Sequence, residues 1–414
     1  VLVWCDGEMT IDRSDALARD AVDALSGWRD EFVIDDPGLV YLDGNSLGMT
    51  PKRTLDAVRH VLEQEWASDL IRSWWEHGWL DLPLTVGDEL APLIGAGPGE
   101  VVVNESTTVC LFQAINAALD LGGTDGGDGG TVGDGGTVGD GPRLIAVDDS
   151  EFPTDRYVVD GIARMRPDVE VRSGLTDLDR VDVVVRSLVD YRTARLHDLA
   201  DETDRARRAG AITVWDCSHA VGIVPFDVRA AGVDLAVGCT YKFLNGGPGA
   251  PAFSYVRSTL HDRLTQPIWG WFGQRDQFTM DAPFSPRPGI ARMMNGTPSV
   301  LALTAVRAGI SIIAEAGIDA IAEKGAAVSN FAIDLTEQFG LVCTTKRPPS
   351  SSGGHVSIIH PDAERIQQTL AAERIIVDKR DPDVVRLGLS PLTTRFVDVF
   401  DAIGAIAQLA HATE

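Results

Sequence analysis

Residues 211–251 read AITVWDCSHAVGIVPFDVRAAGVDLAVGCTYKFLNGGPGAP. Two apolar runs of strand length, from Ala211 to Trp215 and from Val233 to Val237, each end in a polar cluster. The first leads into Asp216-Cys217-Ser218-His219 and the second into Thr240-Tyr241-Lys242. Runs that stay apolar without alternating belong to strands buried on both faces of a parallel sheet. Ligands of such sheets bind outside the carboxyl ends of the strands, so both clusters lie where a site belongs.

A carboxylate and a lysine at neighbouring strand ends suit one cofactor in particular. Pyridoxal phosphate is held by a lysine Schiff base, and an acidic partner keeps its ring nitrogen protonated so that the ring serves as an electron sink. Asp216 and Lys242 can supply that pair. The plainer alternative for Asp216 is a helix N-cap after a strand, and for a lone lysine it is a solvated surface charge. Against the second stands the scarcity of lysine: Lys52, Lys242, Lys324, Lys346 and Lys379 are the only five among 36 Lys and Arg. Lys242 is the one framed by apolar sequence and a glycine-rich turn. An amine kept where arginine is otherwise used points to a need for deprotonation, which arginine cannot meet.

Moving outward, strand-like runs recur, each with a polar end. Val101 to Val103 leads to Asn104-Glu105-Ser106-Thr107-Thr108 and then to a periodic apolar run from Val109 to Leu121. A strand, a hydroxyl cluster and a helix start form a phosphate cradle, or else a plain Ser/Thr cap. Leu144 to Val147 leads to Glu151-Phe152-Pro153-Thr154-Asp155, and Val181 to Val185 leads to Ser187. Alternation of strands and helical segments from about residue 100 to 260 indicates α/β architecture, a mostly parallel sheet wrapped by helices. Upstream, residues 14–32 carry an amphipathic helical pattern. The tryptophans between Trp66 and Trp79 mark core, interface or substrate contact. Downstream, a helix from about Ser299 to Ala316 leads into a smaller C-terminal domain with strand-like runs at residues 354–360 and 384–389. Arg386 lies inside the second run. A half-buried arginine there binds either a structural Asp or a substrate carboxylate.

The net charge of −25 disfavours nucleic acid and anionic membranes. With 61 Asp and Glu and so few lysines, it suits a very salty cytoplasm, where screening shortens to about 3 Å at 1 M salt. The alternative is an ordinary acidic enzyme. Five scattered cysteines without C-x-x-C spacing argue against a zinc site or a disulfide framework. His355 and His360 fall on opposite faces of a strand, against joint metal ligation. No run is long enough to span a membrane, and the opening VLVWCDGEMT lacks a basic signal-peptide region, so a cytoplasmic protein is expected. Residues 122–141, with GGTDGGDGG and two copies of GGTVGD, read as a low-complexity surface loop.

Taken in order, YLDGNSLG (41–48), FPTD (152–155), WDCSH (215–219), GCTYKFLNGGPGAP (238–251), WGWFGQRDQ (269–277) and RLGLSPLTTRF (386–396) resemble kynureninase over nearly the whole chain. The resemblance implies an aminotransferase-like fold type I homodimer that uses pyridoxal phosphate to hydrolyse L-kynurenine, or its 3-hydroxy derivative, in tryptophan catabolism. It implies that Lys242 forms the Schiff base and shuttles protons, with Tyr241 as a candidate acid. Asp216 would pair with the ring nitrogen, Phe152 would stack on the ring, and Asp155 would lie close by. Thr107, Thr108, Ser187, His219 and Tyr241 would complete the pocket. Trp271 and Thr297 would reach the phosphate region from the other subunit. Arg386, with Asn45 and Ser46 near it, would take the substrate α-carboxylate. Ala194 departs from the family's usual glycine, Thr393 from a tyrosine and Cys110 from an asparagine.

The domain organisation expected is an N-terminal segment, 1–60, packing with a small α+β C-terminal domain, 306–414, and a large cofactor-binding domain, 61–305. Two rival functions are a cysteine desulfurase or selenocysteine lyase of the same fold, for which Cys343 would be the catalytic cysteine, and a catalytically silent cofactor-binding protein.

Overall fold

A computed structural model describes residues 10–122, 142–280, 283–347 and 353–412. The opening residues 1–9 and the loop insert, apart from Gly122, lie outside the described residues. The strands in chain order are β1 (Val40–Leu42), β2 (Val101–Val103), β3 (Arg143–Val147), β4 (Val169–Ser173), β5 (Val183–Ser187), β6 (Ile212–Asp216), β7 (Leu235–Gly238), β8 (Phe253–Val256), β9 (Val342–Cys343), β10 (His355–Ile359), β11 (Ile375–Arg380) and β12 (Val384–Gly388).

The chain forms two compact units. The larger, Leu47–Tyr191 with Leu196–Ile318, is built on a seven-stranded sheet in the order β2-β8-β7-β6-β5-β3-β4. Pairs β3/β4, β3/β5, β5/β6 and β6/β7 are parallel, and β8 runs against both its neighbours. β2, β5, β7 and β8 are buried along their whole length, which is why their sequences carry no polar alternation. The helices Thr107–Leu121 and Pro153–Met165 pack their apolar residues, among them Leu111, Ile115, Val159 and Ile162, onto β3, β5, β6 and β7. Because β8 alone is reversed, the carboxyl ends of β2, β3, β5, β6 and β7 share one edge.

The smaller unit comprises Val1–Ser46, Arg192–Arg195 and Asp319–Glu414. Its five-stranded sheet, β1-β11-β12-β10-β9, is antiparallel except for β1 against β11. Helices Ala363–Ala372 and Phe396–His411 cover it through Ile366, Leu370, Val399, Ile403 and Ile406. The unit boundaries fall at Ser46/Leu47 and Ile318/Asp319, not at 60/61 and 305/306. The cause is the Lys52–His60 helix, which packs on the Val300–Ala316 helix and ties to it through Arg53 and Glu315 (2.7 Å), so both stay with the larger unit.

The amphipathic stretch 14–32 is not one helix. An α-helix spans Arg13–Ala21 and a separate 3₁₀ turn spans Ser26–Glu31. Asp23 breaks the run: its carboxylate accepts from Leu25 N (2.9 Å) and pairs with Lys324 Nζ (2.6 Å), drawing the backbone out of the helix. Among the described residues no single helix is long and apolar enough to cross a membrane.

Candidate active site

Within the larger unit, the parallel register of β5 and β6 sets Ser187 opposite Asp216. Asp216 is buried, and its Oδ1 accepts from Ser218 N (2.8 Å), closing the turn after β6. Ser218 Oγ in turn accepts from Cys239 N (3.1 Å) at the end of β7, locking the two polar clusters together. Ser187 Oγ donates to Asp155 Oδ2 (3.4 Å) from the other side. Asp155 stands in the first turn of the Pro153–Met165 helix, and Phe152 caps that helix. The Phe152 ring meets Tyr191 edge to face, with 5.2 Å between centroids.

Lys242 follows β7 in a tight turn. Gly246 N donates to Thr240 O (2.9 Å), Asn245 N donates to Lys242 O (2.9 Å), and Asn245 takes φ 56°. Two glycines allow the turn to seat. A Cβ at Gly48 would lie 2.3 Å from Lys242 O, and one at Gly309 would lie 2.0 Å from Leu244 O. Gly48 N also donates to Tyr241 O (2.8 Å).

The electrostatics join these pieces. Burial holds the Asp155 carboxyl well above the usual range, and the charges of Asp216 and Glu151 add to that while Lys242 opposes it. Burial likewise raises the Tyr241 phenol, so it remains an O–H donor at neutral pH. His219 is buried in the same turn as Asp216. Thr107 and Thr108 open the fifteen-residue Thr107–Leu121 helix, with Ser106 as N-cap accepting from Val109 N (3.4 Å). That site is a cap, and the first-turn amides that lack intrahelical partners suit an anion.

Trp271 and Thr297 form a separate pair: Trp271 Nε1 donates to Thr297 Oγ1 (3.3 Å). Their loops join through Phe272 N to Asn295 O (3.0 Å), and Gln113 Nε2 donates to Asn295 Oδ1 (2.7 Å) from the Thr107–Leu121 helix.

In the smaller unit, Arg386 is fully buried in β12. It pairs with Asp378 (2.5 Å), its partner across the antiparallel β11/β12 register, so the structural Asp left open by the sequence is present. With the Asn45 amide turned so that Oδ1 faces the guanidinium, it accepts from Arg386 Nε (2.8 Å) and Nη2 (3.2 Å). Arg386 Nη2 also lies 3.4 Å from Ser46 Oγ. Burial lowers the Arg386 pKa to about 10, Asp378 opposing, and raises that of neighbouring Asp43 to about 6. Asp43, Asp378, Gly309 and Asn245 were not singled out from sequence. Their contribution depends on strand register and on backbone approach.

A family model described as the kynureninase C-terminal domain matches residues 321–406. A kynureninase of Pseudomonas fluorescens is 37% identical over 410 residues, covering 96% of this chain and 95% of that protein. One from Burkholderia pseudomallei (strain 1106a) is 38% identical over 409 residues, with the same coverage. The chain belongs to the kynureninase family. Among solved structures, an Escherichia coli cysteine desulfurase superposes with TM-score 0.77 at 16% identity, covering 94% of this chain and 99% of that one. A C-DES mutant with glycine covalently linked to its PLP cofactor superposes with TM-score 0.75 at 18% identity, covering 92% and 98%. These place the fold among the type I pyridoxal-phosphate enzymes. The likeness to desulfurases ends there. Cys343 lies in a strand of the sheet, not on a mobile loop, and burial raises its thiol pKa, whereas a nucleophilic cysteine needs thiolate character.

Proposed function

We propose that this member of the kynureninase family is a pyridoxal-phosphate-dependent hydrolase. It cleaves L-kynurenine, or 3-hydroxy-L-kynurenine, to anthranilate, or 3-hydroxyanthranilate, and L-alanine. The observation that carries this reading is the 37% identity to a kynureninase across 96% of the chain.

The residues present fit the cofactor. Asp155 and Asp216 are buried, with Lys242 the cation whose charge reaches Asp155, an acidic setting that suits a protonated ring nitrogen. The open first turn at Thr107 and Thr108 suits a phosphate. When bound, the cofactor supplies an electron sink conjugated to the substrate α-carbon. Asp216, fixed by the Ser218 amide, holds the ring nitrogen in its protonated form. Lys242 Nζ holds the cofactor between turnovers. The Lys242 amine, when not holding the cofactor, would be the base that takes the substrate α-proton and returns it. Tyr241 donates its phenolic proton towards charge developing at the substrate carbonyl as water adds there. Phe152 covers the ring face, and Asp155, Ser187 and His219 line the ring pocket. Arg386, steadied by Asn45 and Ser46, binds the α-carboxylate.

The assembly we propose is a homodimer in which Trp271 and Thr297 serve the partner's phosphate region. In support, Trp269 (67%), Phe278 (53%) and Trp271 (39%) expose large aromatic surface of the kind that marks an interface. A high-salt cytoplasm is the proposed setting, on the acidic charge and scarce lysine. In the deciding assay, purified protein receives pyridoxal phosphate and either L-kynurenine or 3-hydroxy-L-kynurenine, with the anthranilate product followed by fluorescence and alanine by chromatography. Equimolar products are expected; no cleavage of either substrate would overturn the reading.

A further inference from the structure

The carboxylate before Phe152 has no role in the chemistry above. Glu151 is 6% exposed. Its Oε2 accepts from Ser187 N (3.0 Å) and its Oε1 from Arg186 Nη1 (3.2 Å). Arg186, buried at the end of β5, also meets His197 Nδ1 (2.8 Å), Glu202 Oε2 (3.2 Å) and Asp148 Oδ2 (3.4 Å). One guanidinium therefore serves three carboxylates. On the far side of Ser187 stand Asp155, 2% exposed, and Asp216, with Lys242 the cation whose charge reaches Asp155.

Anchoring the Ser187 amide needs only a neutral acceptor, which Gln or Asn would provide. Burying a carboxylate and a guanidinium there instead carries a desolvation cost that a neutral anchor avoids. What the charges add is a field at the strand end, directed at the two carboxyls beside the ring pocket. We propose that Glu151 and Arg186 are positioning residues: a charge pair behind Ser187 that sets the electrostatics of Asp155 and Asp216 and, through them, how tightly the cofactor ring is held. This rests on the cofactor reading above.

The pair is also sensitive to pH. Burial pushes the Glu151 carboxyl up to about 7, with Ser187 and Arg186 pulling it down and Asp216 pushing it up. Below that point Glu151 is neutral and above it charged. A charged Glu151 strengthens the hold on a protonated ring nitrogen and on the proton of Asp155.

The test is the affinity of the apoprotein for pyridoxal phosphate, read from tryptophan quenching between about pH 6 and about pH 8, for the unmodified protein and Glu151→Gln. Glu151 shares its surroundings with Arg186, His197, Glu202, Asp148, Asp155 and Asp216, and the ratio of the two Kd values at each pH, Glu151→Gln over unmodified, reads the effect of its charge. That ratio is expected near one at the acid end, rising on the order of fivefold at the alkaline end. A ratio that stays near one at every pH overturns the inference and leaves the cofactor reading intact. Absence of binding by the unmodified protein at any pH overturns both. Should Glu151→Gln fail to fold, Glu151→Asn, a shorter neutral acceptor that leaves Arg186 with its other carboxylates, carries the same comparison.

Discussion

Ala194 takes φ 63°, fully buried, with its carbonyl accepting from Gly353 N (2.8 Å). The resemblance implies a glycine at this position, and the backbone has the left-handed angle that glycine favours although the residue is alanine. That conformation costs a non-glycine residue about 1–2 kcal/mol, partly offset by alanine's smaller loss of chain entropy. Ala194→Gly is therefore expected to stabilise the protein by about 1 kcal/mol, measurable as a higher urea midpoint at unchanged slope. A second expectation concerns Glu151, whose carboxyl is raised to about 7 from an ordinary 4.5. A raised carboxyl contributes stability that is full below the unfolded pKa and lost as pH climbs through the folded one. Between about pH 4.5 and 7 the unmodified protein should lose stability relative to Glu151→Gln, followed as the difference in Tm. Asp216 and Lys242 were legible because their chemistry stands at the ends of apolar runs. The Glu151 tie to Arg186 was not, since 35 residues separate the pair and only the turn after β3 and the position of β5 bring them together.

At the scale of elements, the lysine turn is held by close backbone approach more than by side chains. A Cβ at Gly309 would meet the Leu244 carbonyl at 2.0 Å, and neither backbone has a flexible end to move. Gly309→Ala is expected to destabilise by about 3 kcal/mol and to weaken cofactor binding more than a distant core substitution of equal cost. Thermal melts with and without pyridoxal phosphate check this. A variant with native stability and affinity would show that the helix Val300–Ala316 does not seat the turn. The apolar runs of β2, β3, β5, β6 and β7 were readable because burial on both faces removes alternation. The reversal of β8 was not, as an antiparallel strand buried in the sheet interior has the same apolar composition. Residues 14–32 misread for a related reason: periodicity registers an apolar face but not the Asp23–Lys324 pair that ends the helix.

For the whole molecule, a net charge of −25 repels itself, and salt screens that repulsion. Stability and activity are expected to rise from about 0.1 M to about 1 M KCl, as screening falls from roughly 10 Å to 3 Å. An optimum at low salt would leave an ordinary acidic enzyme. Sedimentation should give a particle of two 44.4 kDa chains, shifted towards one chain by Trp269→Asp. The length of the chain suggests a large and a smaller domain, whereas the boundaries of the two compact units depend on helix packing distant in sequence. The account stands or falls on Lys242 as the residue that carries the cofactor. The direct measurement is to load the protein with pyridoxal phosphate, reduce it with borohydride, digest it and find the pyridoxyl group by mass spectrometry. The modification is expected on Lys242 alone of the five lysines; stoichiometric label on any other lysine, or none on Lys242, would contradict it.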